Sequence, residues 1–100
     1  MDIVFEYHDV SQSDRLEALA TDKLKKLSDK NPKLIRADVF FKKENTSSKE
    51  TGKICNIRLS VPGPRLFAES SHDSFEASIA ESIDDLQRQL RKQKEKMRSY

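Results

Sequence analysis

Residues 34–42 read LIRADVFFK and residues 54–61 read ICNIRLSV. In the first stretch Ile35, Ala37, Val39 and Phe41 alternate with Arg36, Asp38, Phe40 and Lys42. In the second, Cys55, Ile57, Leu59 and Val61 alternate with polar neighbours. A period of two with one apolar face describes a β-strand whose one side meets a core and whose other side meets water. Between them, residues 44–53, ENTSSKETGK, are polar and serine-rich with a glycine near the end, which is the composition of a hairpin loop. Pro62-Gly63-Pro64 then makes a tight turn into a fourth strand at residues 65–70. These three strands form an antiparallel meander.

Outward from the meander, residues 3–7, IVFEY, place Ile3, Phe5 and Tyr7 on one face of a short first strand. Ser11 and Ser13 offer caps for a helix over residues 14–30, whose Leu16, Leu19, Ala20, Leu24 and Leu27 share one stripe. Asn31-Pro32 ends it, because a residue before proline is pushed out of the α region. A last helix is expected to be capped by Asp73, with Glu76 in capping-box register, and to bury Phe75, Ile79, Ile83, Leu86 and Leu90. The order is β-α-β-β-β-α. Two helices with one apolar stripe each, beside alternating strands, predict an α+β fold: a four-stranded sheet with both helices on one face. The strand–helix–strand connection at the start predicts a parallel neighbour and a right-handed crossover.

The chain has 100 residues, room for a single domain over residues 1–100. Its net charge of +2 conceals four blocks. Residues 1–22 carry one base against six acids, and residues 23–65 twelve against four. Residues 66–85 carry six acids and no base, and residues 86–100 six bases against one acid. Such polarity steers one surface toward a polyanion. Cys55 is the only cysteine, which excludes an internal disulfide and a cysteine-based zinc site. The amino-terminal MDIVFEYHD has neither the basic nor the apolar region of a signal peptide, and no apolar run approaches the ~20 residues that span a bilayer. A cytoplasmic protein without membrane contact is expected.

No catalytic frame surrounds His8, His72 or Cys55, and two glycines cannot build a phosphate-cradling loop. The expectation is a binding protein, not an enzyme, with no cofactor, metal or small-molecule substrate. Basic residues carry the stronger signal. Arg15, Lys23, Lys26 and Lys30 follow one edge of the first helix's apolar stripe. Arg88, Arg91, Lys92, Lys94, Lys96 and Arg98 crowd the end of the last helix, where the leucines stop at Leu90. If residues 91–100 continue the helix, they extend it by ~15 Å as a basic rod. A membrane-surface role would need an apolar face, and beyond Leu90 only Met97 and Tyr100 could supply one. Without a stacking motif on the strands, this pattern points to phosphate contacts with structured RNA, which is recognised mostly by shape and backbone.

The run HDSFEASIAESIDDLQRQLRKQKEK at residues 72–96 resembles the ribosome hibernation promoting factors, also known as ribosome-associated inhibitors and formerly as sigma-factor modulation proteins. The spacing of Ile79 and Ile83 and the L-x-R-Q-L-x-K ending at Lys92 carry the likeness, supported by ATDKLKKL at residues 20–27 and LFAESSHD at residues 66–73. The resemblance implies a fold similar to double-stranded-RNA-binding domains and the short form of the family. It implies a bacterial, stationary-phase protein that binds small-subunit ribosomal RNA in the messenger and transfer RNA channel and blocks translation by occupancy. By position, Lys23, Lys26, Arg88, Lys92 and their neighbours would be the RNA contacts, made by a protein that is a monomer when free. The alternative is a protein-interaction module that modulates a transcription factor through the open sheet face, where Arg36, Phe40, Lys42 and Arg58 lie.

Overall fold

The computed structural model describes the backbone of residues 1–98 and the side chains of residues 1–96. In it the chain runs β1 (Asp2–His8), α1 (Asp14–Lys30), β2 (Arg36–Lys43), β3 (Lys53–Ser60), β4 (Leu66–His72) and α2 (Phe75–Arg98). The sheet has the order β1-β2-β3-β4. β1 lies parallel to β2, with Ile3 opposite Ala37 and Phe5 opposite Val39. β2, β3 and β4 form the antiparallel meander. The α+β architecture and the β-α-β-β-β-α order therefore stand as the alternation implied.

Both helices lie on the inward face. α1 contributes buried Leu16, Ala20, Leu24 and Leu27; α2 contributes Ile79, Ile83, Leu86 and Leu90. They close over Ala37, Val39, Phe41, Cys55, Ile57, Leu59 and Ala68 of the strands. Phe41 is the centre of a ring cluster. Phe5 stacks 6.3 Å away, Tyr7 lies at 5.5 Å and Phe75 meets it edge-on at 5.6 Å. These are favourable aromatic geometries.

α1 starts where Ser13 Oγ accepts the Leu16 N–H at 3.2 Å. It ends at Asn31, whose side-chain amide donates to the Leu27 carbonyl at 2.8 Å. The last helix is capped differently from the sequence expectation. Ser74 Oγ, not the Asp73 carboxylate, accepts the Ala77 N–H at 3.2 Å, and the Ser74 carbonyl receives Ser78 N–H. The cause lies in the strand before it: β4 continues two residues past 70, keeping His72 opposite Lys53 and delaying the turn. Glu76 closes no capping box on Asp73; it reaches Arg15 of α1 at 3.4 Å.

Ile35 also departs from the alternation. It sits one residue ahead of β2 and is 56% exposed, while Leu34 turns into the core. Its backbone still pairs, donating to Ser60 and accepting from Asp2. Gly52 closes the hairpin loop at φ +111°, donating to Ser71 Oγ at 2.8 Å. A Cβ there would meet the Glu44 carbonyl at 2.7 Å, so the position excludes every side chain.

Candidate nucleic-acid interface

α1 and α2 lie side by side on the sheet, and the seam between them is a basic groove. Its first part holds a recess of about 210 Å³ bounded by Lys23, Lys26 and Lys30 on α1 and by Ala80, Asp84 and Gln87 on α2. A second recess of about 260 Å³ continues along Lys30, Asn31, Gln87, Arg91 and Lys94. The helical spacing explains the arrangement. Residues 80, 84, 87, 91 and 94 are three or four apart and so share the α2 face turned to α1.

Lys94 bridges the two helices. Its ammonium donates to the Lys30 carbonyl at 3.1 Å, satisfying an orphan acceptor at the carboxyl end of α1, where a cation is favoured. An ammonium has three donors, so two remain for a ligand. Lys26 meets Asp22 at 3.3 Å one turn earlier, but both side chains are exposed, and such pairs contribute only ~0.3–0.5 kcal/mol. Phosphate can therefore displace that carboxylate. Asp84 is the carboxylate in the groove wall itself.

The structure sorts the sequence-predicted residues into three sets. Lys23, Lys26, Lys30, Arg91 and Lys94 come together in the groove. Arg15 stands apart, near the start of α1, held by Glu76. Arg88, Lys92 and Lys96 follow one another at four-residue spacing along the exposed side of α2, outside the groove. On the side of α2 toward β4, Gln89 donates to the Phe67 carbonyl at 2.8 Å. Glu81 lies there too, its carboxyl held below the usual range chiefly by its hydrogen bond with His72. The backbone of α2 runs through Arg98, but the side chains of Met97 and Arg98, together with residues 99–100, lie outside the described residues. Arg91, Lys92, Lys94 and Lys96 are all exposed past Leu90, the last buried residue of the helix among the described side chains.

Sequence reasoning missed Ser78 and Ser82. Both are fully buried on the apolar side of α2. Their hydroxyls donate to the carbonyls of Lys53 at 2.5 Å and Cys55 at 2.9 Å, riveting the helix to β3 and fixing its rotation. Their four-residue spacing, in phase with Ile79, Ile83 and Leu86, was the available signal. Cys55 is buried beneath them, and desolvation pushes its thiol up to about 12. It is an inert core side chain at neutral pH.

The open face of the sheet is chemically different. Its hollow of about 510 Å³ is larger than the groove recesses and is lined by Glu6, Arg36, Asp38, Phe40, Arg58 and Arg65. Acids and bases alternate there, and Arg36 forks onto Asp38 through Nε at 3.1 Å and Nη2 at 2.9 Å. Opposite charges so close cancel at a distance, whereas the groove presents nearly one sign. Among the described residues no cluster of metal-ligating side chains occurs, and no helix is long and apolar enough to cross a membrane.

The four-stranded sheet with two helices on one face is shared with solved structures. A ribosomal subunit interface protein from Coxiella burnetii superposes with a TM-score of 0.79 at 22% identity, over 94% of this chain and 98% of that one. The Protein Y N-terminal domain from Thermus thermophilus gives 0.75 at 18% identity, over 92% and 98%. Comparison with curated proteins gave no match. The family model described as "Sigma 54 modulation protein / S30EA ribosomal protein" matches residues 3–98, and the chain belongs to that family.

Proposed function

We propose that this protein binds the small ribosomal subunit through its ribosomal RNA, occupying the channel for messenger and transfer RNA and so blocking translation without chemistry of its own. The observation that carries this reading is the predominantly basic groove between α1 and α2, where Lys23, Lys26, Lys30, Arg91 and Lys94 converge against the one carboxylate of Asp84. Family membership and the likeness to a ribosomal subunit interface protein support the ribosome as the partner. The mechanism is steric. Lysine and arginine side chains neutralise phosphates and release counterions, which fixes the protein on folded RNA without reading bases. The basic turns after Leu90 add contacts beyond the core-bound part of the helix. One folded domain acting as a cytoplasmic monomer is sufficient for this.

Sedimentation of a stationary-phase lysate tests the partner. The protein should travel with ribosomes at low salt and leave them as potassium rises. Recovery in the ribosome-free supernatant at every salt concentration would contradict the reading. It would favour the second one, a protein-binding module using the hollow of Arg36, Phe40, Arg58 and Arg65 on the open sheet.

A further inference from the structure

The basic groove does not end at Arg91. It opens, at the carboxyl end of α1, into a third recess of about 280 Å³ that shares Asn31, Leu90 and Lys94 with the groove. The character of the wall changes there. Leu34, Val61 and Leu90 form the floor, with Pro32 and Pro62 at the sides. The three floor residues are 7%, 9% and 6% exposed, so the recess is a notch in the edge of the core, not a hole through it. Lys33 and Lys94 stand at its mouth, and Gln93 brings an amide to the rim.

We infer that this recess receives a single unpaired nucleobase of the RNA whose backbone lies in the groove. The inference rests on the RNA-binding reading and adds base capture to it. An occupant must join an apolar body to an anionic tether, because the floor is apolar and the mouth is cationic. A nucleotide has that construction. A purely acidic segment would satisfy the lysines but leave the floor unfilled. The recess is also continuous with the groove through Asn31, Leu90 and Lys94, so a strand following the groove arrives at it. Bases are available for such capture at bulges and loops, where unstacking costs least. The Gln93 amide can donate to and accept from a base edge, which an aliphatic rim could not do.

Three RNAs test this with the full chain at about 50 mM potassium: a hairpin duplex, the same duplex with a one-nucleotide bulge, and that bulge made abasic. Anisotropy titrations should give the bulged RNA about five- to tenfold tighter than the other two. The methyl resonances of Leu34, Val61 and Leu90 should move with the bulged RNA and not with the abasic one. Gln93→Leu, which removes the amide donor and acceptor from the rim at a half-exposed helix position, should reduce the preference and leave duplex affinity within about twofold. Lys26→Gln should weaken all three RNAs together. Equal affinity for bulged and abasic RNA, or for all three, overturns base capture while leaving the groove reading intact. Binding to none of them overturns the RNA reading itself, and base capture with it.

Discussion

Ser74 shows how one residue decides where a helix starts. Aspartate is as good a cap as serine, and Asp73 stands beside it with Glu76 three residues on. The choice depends on how far β4 stays paired to β3, and that pairing is a tertiary fact which local sequence does not express. Ser74→Ala should therefore cost about 1 kcal/mol of stability by denaturant unfolding, and Asp73→Ala only a few tenths. Equal costs would return the cap to Asp73. Ser82 was passed over for a related reason: its spacing marks it as inward-facing, but a serine in an apolar stripe looks like a flaw until the Cys55 carbonyl is seen 2.9 Å away. Ser82→Ala should cost about 1 kcal/mol, with the cavity adding little. Tyr7 supplies a pH dependence. Burial, then its hydrogen bond to Glu17, raises its hydroxyl above the ordinary value of 10.0. A raised acid contributes stability that is complete below pH 10 and is lost as pH rises through the folded value. Tyr7→Phe should flatten the alkaline limb of the stability curve, and an unchanged limb would remove Tyr7 from that role.

At the scale of elements, α2 was the most legible part of the chain. Phe75, Ile79, Ile83, Leu86 and Leu90 repeat at helical spacing over four turns, and the core uses them all. What the repeat could not show is which flank of α2 faces α1. That rotation is set by Ser78 and Ser82 on β3 and by the neighbouring helix, so Arg91 and Lys94 belong to the groove while Arg88 and Lys92 do not. The strands were legible for the same reason as the helix, through period. Ile35 failed because alternation continues in the sequence one residue beyond the strand itself. The basic end of α2 yields a prediction at this scale. Truncation after Leu90 keeps every α2 residue that is buried among the described side chains and loses the Lys94–Lys30 bond, costing about 1 kcal/mol. Ribosome binding should fall far more than stability does. Full inhibition of translation by the truncated chain would show that the overhang is a solvated end.

Across the whole molecule, charge and architecture coincide. One layer is a sheet whose open face mixes acids and bases; the other is a pair of helices whose seam carries nearly one sign. A net charge of +2 would not suggest a polyanion partner, but the placement of the charges does. The hairpin loop at residues 44–52 lies outside the helical layer and carries both signs, so shortening it should leave ribosome affinity within about twofold and cost little stability. A large loss of affinity would mean that the binding surface lies elsewhere. The groove itself is tested most directly by ribosome affinity measured at several potassium concentrations for the parent, Lys26→Gln, Arg91→Gln and Lys25→Gln, the last on the outer side of α1. The account predicts a steep log–log slope that flattens by about one unit for Lys26→Gln and for Arg91→Gln, with little change for Lys25→Gln. Equal slopes for all four proteins would contradict the groove as the RNA-binding surface, even if ribosomes were still bound.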